Sequence, residues 1–188
     1  METAANGPQY DIVVAGAGYV GLATAVAIRD AAPELSILLV DAAPEGVWRK
    51  DARASALAAA AVRMMRRLGA WEAMEGDAQP ITEMIVTDSR TSDPVRPVFL
   101  TFGGEAGPSE PFAHMVPNTS LNGALRERAE ALGVEFRAGA AVTGIDERPA
   151  SIRIELGDGT TVGARLLVAA DGVRSKIRDM AGIRTIHK

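Results

Sequence analysis

The chain of 188 residues contains no cysteine. That excludes a disulfide-stapled secreted scaffold, a thiolate metal centre and a cysteine nucleophile. Histidine is almost as scarce, and His114 and His187 stand alone at no metal-ligand spacing. No Gly-x-Ser-x-Gly elbow occurs either. Neither a metal nor a catalytic side chain of the chain's own is therefore expected. Lysine is found only as Lys50, Lys176 and Lys188, and the basic residues are dispersed under a net charge of −4. A nucleic-acid surface is not indicated. The most membrane-like uncharged run, residues 54–62, is too short to cross a bilayer, and the N-terminus has no basic region followed by an apolar core. A cytoplasmic, reducing setting is expected. The length suffices for one sizeable domain, or for one and a piece of another.

What the chain does have is concentrated in residues 10–41. An apolar strand leads into Gly16, Ala17, Gly18, Tyr19, Val20 and Gly21, which spell G-x-G-x-x-G. The three glycines do different steric work. Gly16 permits the tight turn out of the strand, Gly18 the close approach of a pyrophosphate, and Gly21 the packing of the next helix against the sheet. The first amides of that helix, at Tyr19 and Val20, point at bound phosphates with the positive end of the helix dipole behind them. Asp41 ends a second apolar strand twenty residues beyond Gly21, the spacing at which a carboxylate accepts from an adenosine ribose. These residues specify a dinucleotide; they do not distinguish FAD from NAD(P).

The first helix is expected over residues 19–31, stopped by Pro33. Residues 51–71 carry Leu57, Ala61, Met64, Met65 and Leu68 at helical spacing, with Arg53 at the entrance and Gly69 at the end. Arg53 reads equally as a solvated loop charge. Trp48, Trp71, Met64 and Met65 read as packing residues, and His114 as an ordinary strand histidine. From 81 to 116 short strands alternate with Pro, Gly and Ser, as in an inserted antiparallel sheet. Asn118, Thr119 and Ser120 offer caps for a helix carrying Leu121, Leu125, Ala129 and Leu132. A meander at 141–147, 151–156 and 160–166 then leads into a further buried strand, 166–170, and into Asp171, Gly172 and a short helix.

Three pieces in order resemble the single-component flavoprotein aromatic hydroxylases. They are the glycine unit with Asp41, the pattern D-x-R-x-x-A-L from Asp51 onward, and A-D-G-x-x-S-x-x-R within the segment AADGVRSKIR of residues 169–178. The second piece, with the segment 80–89, is similar to the ubiquinone-biosynthesis hydroxylase branch. The resemblance implies an α/β, Rossmann-like FAD-binding fold of three layers, a parallel sheet plus a β-meander. Residues 1–79 and 118–188 would form the FAD-binding domain, with part of an antiparallel substrate-domain sheet inserted at 80–117.

It further implies FAD held at its ADP half and NAD(P)H as co-substrate. Asp171 and Gly172 would lie beside the pyrophosphate, a turn that the family also uses for NAD(P)H, and Arg53 would face phosphate or flavin oxygen. Asn118 would be a cofactor contact or a helix cap. The implied reaction is hydroxylation of a small phenolic ring, including lipid-tailed quinone precursors, with peripheral membrane association open for the full enzyme. The family pattern runs on past Lys188, so the 188 residues are expected to be an N-terminal part that does not hydroxylate unaided. Strands at 81–87 and 98–102 would then keep bare edges, with no lysine or bulge to blunt them, and self-association through this insertion, or its disorder, is expected. An NAD(P)-dependent dehydrogenase would share the glycine unit but has no reason to carry the A-D-G element. A non-catalytic dinucleotide-binding module is the other alternative.

Overall fold

The computed structural model of the chain describes residues 9–186; His187 lies outside them. In chain order β1 (Gln9–Ala15), α1 (Tyr19–Ala31) and β2 (Ile37–Val40) come first. They are followed by β3 (Ala54–Ala58), α2 (Ala59–Arg67), β4 (Gln79–Ile81), β5 (Glu83–Thr87), β6 (Val98–Gly103), β7 (Glu105–Gly107), β8 (Glu110–Pro111) and β9 (Ala113–Pro117). The chain closes with α3 (Asn118–Ala131), β10 (Glu135–Arg137), β11 (Val142–Arg148), β12 (Ser151–Leu156), β13 (Thr161–Ala169) and α4 (Lys176–Met180). It divides into two compact units, the described parts of 1–51 with 121–188, and residues 52–120.

The first unit is built on one six-stranded sheet in the order β10-β2-β1-β13-β12-β11. The first four strands run parallel and the last two antiparallel. Val13, Val14, Leu38 and Leu39 are buried, because strands covered on both faces read as continuous apolar runs. On one face α1 packs on β1 and β2. On the other, Val13, Ala15, Leu38 and Val40 share a core with Ile154, Leu156, Val162 and Ala164 of the meander and Ile177 of α4. The expected three layers follow from this: helix, parallel sheet, meander. Each large aliphatic side chain in that core contributes about 1.5–3 kcal/mol.

Two expectations are corrected here. The strands expected at 160–166 and 166–170 are a single strand, β13, which pairs with β12 over its first half and with β1 from Gly163 to Ala169. No Pro or Asn interrupts the segment, so nothing breaks it. Leu166, expected buried, is 52% exposed.

In the second unit β3, β9 and β4 form a three-stranded antiparallel sheet. The helix expected from Asp51 therefore starts only at Ala59, because residues 54–58 pair with β9, Leu57 opposite His114. Alanine is the best intrinsic helix former and a poor strand former, but propensity is a weak bias, and here the pairing with β9 overrides it. The helix buries Ala59, Val62 and Met65, while Met64, expected to pack, is 47% exposed. Trp71 is buried with its ring edge-on to His114, the centroids 5.2 Å apart. The edges of β5 and β6, expected bare, are half satisfied: the two strands pair with each other, and this hairpin pairs with no further strand among the described residues. It also contains a bulge, since Val86 pairs with Leu100 and Thr87 with Val98, leaving Phe99 as the extra residue. No helix among the described residues is long and apolar enough to cross a membrane.

Candidate cofactor site

The turn out of β1 is made by Gly16 at φ +106°, where a Cβ would strike the carbonyl of Ala170, its carbon 2.6 Å away. The neighbouring backbone is tied down as well: Gly16 N–H donates to Val40 O at 2.8 Å and Ala170 N–H to Ala15 O at 2.7 Å. A Cβ on Gly21 would collide with the Gly16 carbonyl and lie 3.2 Å from the Ala170 Cβ. So two of the three sequence pieces, the glycine unit and the A-D-G element, meet at Ala170 with no room between them. Gly18 is different. Its φ of −73° suits any residue, and a Cβ there would meet nothing within 4 Å. Two glycines are demanded by the fold itself, and the third looks onto open space.

That space is a cleft of about 590 Å³ at the ends of β1 and β2, floored by Gly16, Gly18, Asp41 and Gly172 among others. The N-terminus of α1 opens beside it, with Gly18 as the residue before the helix and Tyr19 and Val20, both exposed, as its first turn. Among the described residues no side chain caps this end, and no acidic residue lies in the first turn. The first amides and the positive end of a thirteen-residue helix are thus left without an acceptor from the protein. The short helix α4 is the opposite case. Asp171 Oδ2 accepts from the N–H of Lys176 at 2.9 Å and of Ile177 at 3.3 Å, and Ser175 Oγ from that of Arg178 at 3.0 Å. One carboxylate oxygen of Asp171 is therefore committed to α4. The next residue, Gly172, holds φ +88° over open space.

Asp41 is fixed from both sides. Its Oδ2 accepts from Ala17 N–H at 2.5 Å and its Oδ1 from Ala43 N–H at 2.6 Å. Its main chain is stitched to the start of the meander: Asp41 N–H donates to Arg137 O at 3.0 Å, and Ala140 N–H to Asp41 O at 2.8 Å.

The first unit thus brings together Gly16, Gly18, Tyr19, Val20, Gly21, Asp41, Asp171 and Gly172. Arg53 and Asn118 belong to the second unit. There Arg53 is exposed and its carbonyl accepts from Asn118 N–H at 2.9 Å. Asn118 is buried as the first residue of α3, not ahead of it, and its Oδ1 accepts from Ser55 Oγ at 2.7 Å. The cleft also has walls that the motifs do not mark. Arg174 and Lys176 line it, and both fall on unspecified positions of A-D-G-x-x-S-x-x-R. Ala140, Val142 and Met180 complete it, and their side-chain types carry no signal.

An uncapped helix end, a glycine facing open space and a backbone-fixed carboxylate form a cradle with the shape and charge for the ADP half of FAD. The FAD binding domain family matches residues 9–188. Among curated proteins the chain is 33% identical to ubiquinone hydroxylase UbiL of Rhodospirillum rubrum, over 92% of this chain and 39% of that one. It is 28% identical to dialkyldecalin synthase of Streptomyces rugosporus, over 92% and 34%. The chain therefore spans well under half the length of these relatives. Among solved structures, p-nitrophenol 4-monooxygenase PnpA of Pseudomonas putida shares the fold with a TM-score of 0.78 at 20% identity, over 94% of this chain and 44% of that one. The chain belongs to the FAD binding domain family, and FAD is the cofactor its cleft fits.

Proposed function

We propose that this chain is the FAD-holding part of a hydroxylase that uses NAD(P)H and O2 to place an oxygen atom on an electron-rich, phenolic ring of the quinone-precursor class, lipid-tailed members included. The observation that carries the cofactor part is the unanswered N-terminus of α1 beside Gly18. The hydroxylase part is supported by the similarity to a ubiquinone hydroxylase and by the A-D-G element, which a simple dehydrogenase does not need. Bound FAD supplies the redox chemistry between NAD(P)H, O2 and the ring. The chain's own residues bind and orient. The first amides of α1 take the pyrophosphate, Asp41 takes ribose hydroxyls on its remaining lone pairs, and Arg174 and Lys176 add positive charge to the lining of the cleft. Arg53 and Asn118 are proposed as cofactor contacts on the resemblance alone. Residues 80–117 are proposed as part of a substrate-facing sheet, and their exposed hairpin as a surface through which copies of the chain associate.

A second reading, a flavin-binding protein that does not hydroxylate, is favoured by the relative named as a dialkyldecalin synthase. Purification with a flavin absorbance spectrum tests the cofactor part. NAD(P)H oxidation with chromatography of a phenol incubated with the protein tests the reaction: NAD(P)H oxidation, ending in hydroxylated product or in hydrogen peroxide, supports the first reading, and bound flavin without NAD(P)H oxidation supports the second.

A further inference from the structure

A stacked cluster that no motif marks lies next to the Asp41 segment. Gly123 and Arg126 stand three residues apart on α3 and share a face. A Cβ on Gly123 would come within 3.5 Å of the Trp48 ring, so the indole rests on the helix where a side chain is missing. The Arg126 guanidinium sits 5.3 Å from the Trp48 ring centroid and 4.4 Å from that of Phe136. Its side chain is only 12% exposed, and its Nε has no hydrogen-bond partner among the described residues. Burial works against its charge and wins, only partly offset by Glu45, 3.6 Å from Nη1, and by the field of Asp41. Stacking between two aromatic faces is what such a planar cation gains in place of hydrogen bonds.

The position of the two rings gives the stack its meaning. Trp48 lies seven residues after Asp41. Phe136 belongs to β10, and the residues just after it hold the Asp41 segment by its backbone, Arg137 O and Ala140 N–H on Asp41, Gly139 N–H on Ala43 O at 3.0 Å. Arg126 therefore joins the two segments that bracket the carboxylate. Its Nε is covered by protein, its Nη1 faces Glu45, and Arg126 is not among the residues that line the cleft, so it acts through its neighbours.

We propose that Arg126 is a positioning residue for ribose recognition: stacked between Trp48 and Phe136, it holds the Asp41 segment in the register in which the carboxylate meets the ribose hydroxyls of a bound adenosine diphosphate group. This rests on the reading of the cleft as the site for the ADP half of FAD. The test is calorimetric titration of the parent chain and of Arg126→Met with ADP and with 2′,3′-dideoxy-ADP. Hydrogen bonds to a carboxylate are worth roughly tenfold or more in affinity, so the parent should prefer ADP by about that factor. In Arg126→Met the preference should fall below about threefold, with affinity for the dideoxy nucleotide little changed. A merely structural defect would weaken both nucleotides alike and leave the ratio standing; that result, or a parent without a preference, overturns the inference alone. A parent that binds neither nucleotide overturns the reading of the cleft and this inference with it. Should Arg126→Met fail to fold, Arg126→Lys, which keeps the charge without the flat stacking face, is measured against the same ratio with the same outcomes.

Discussion

Asp41 and Ala17 are joined by a hydrogen bond in which the Ala17 N–H donates to Oδ2 at 2.5 Å, across twenty-four residues of chain. The acid at the end of β2 is thus aimed by the glycine loop beside it, and Ala43 N–H holds its other oxygen. A carboxylate offers about four lone-pair positions, so roughly two remain for a ribose. Asp41→Asn keeps the shape but has one oxygen for two N–H donors and no charge. FAD affinity is expected to fall about ten- to a hundredfold, as for loss of a hydrogen bond to a charged group. A flavin fluorescence titration checks it, and an affinity within about twofold of the parent would remove Asp41 from the site.

The three glycines of the loop separate folding from binding. Gly18→Val adds a side chain that meets no protein atom within 4 Å at its Cβ, so the melting temperature should stay close to that of the parent while FAD binding is lost. Gly21→Ala places its Cβ on the Gly16 carbonyl and should destabilise the chain by about 1–3 kcal/mol, as overpacking does. Thermal melts and flavin titrations on both variants form the test. Equal binding by Gly18→Val would show that the pyrophosphate does not lie over this loop.

Tyr10 provides a pH signature. Its hydroxyl donates to Glu135 Oε2 at 2.8 Å, linking β1 to β10. Burial first, then that bond, pushes its pKa up to about 12 from an ordinary 10. Between those values the unfolded chain holds fewer protons than the folded one, so stability is complete below pH 10 and declines as pH rises toward 12. The loss amounts to about 2–3 kcal/mol at most. Denaturant melts across this range should show the decline in the parent and a shallower one in Tyr10→Phe; identical slopes would mean that Tyr10 is not what titrates.

How much of this was legible in the sequence depended on whether a residue's role is set locally. Gly16, Gly21 and Asp41 could be read because a turn, a close approach and a strand end each require a residue type at a fixed spacing. The same local logic placed α1 at its observed bounds. It failed at residues 54–58, where the partner strand β9 lies more than fifty residues away and its pairing overrides the helix preference of alanine. It also passed over Arg174 and Lys176, which line the cleft from unspecified motif positions. Arg126 was invisible for a further reason: its stack is assembled from a loop, a helix and a strand, and no spacing in the chain encodes that meeting.

The β5–β6 hairpin is where the chain meets others, if the proposed self-association holds. The register puts Met84, Val86, Leu100 and Phe102 on one face, Met84 opposite Phe102 and Val86 opposite Leu100, and all four are exposed. Phe99, in the bulge, is 72% exposed. Two strands alone are marginal in water and gain stability from a third strand or a covering surface. The bulge falls on β6, the outer edge of β5 pairs with no strand among the described residues, and no lysine stands on either strand. Light scattering on the parent chain is therefore expected to show a mass that rises with concentration. Leu100→Lys, which sets a charge in the middle of the apolar face, should lower it while FAD binding stays at the parent level. A parent that is monodisperse and monomeric at every concentration, with the amides of residues 83–103 protected from exchange, would show that the hairpin is stable without a partner and that its apolar face serves some other purpose.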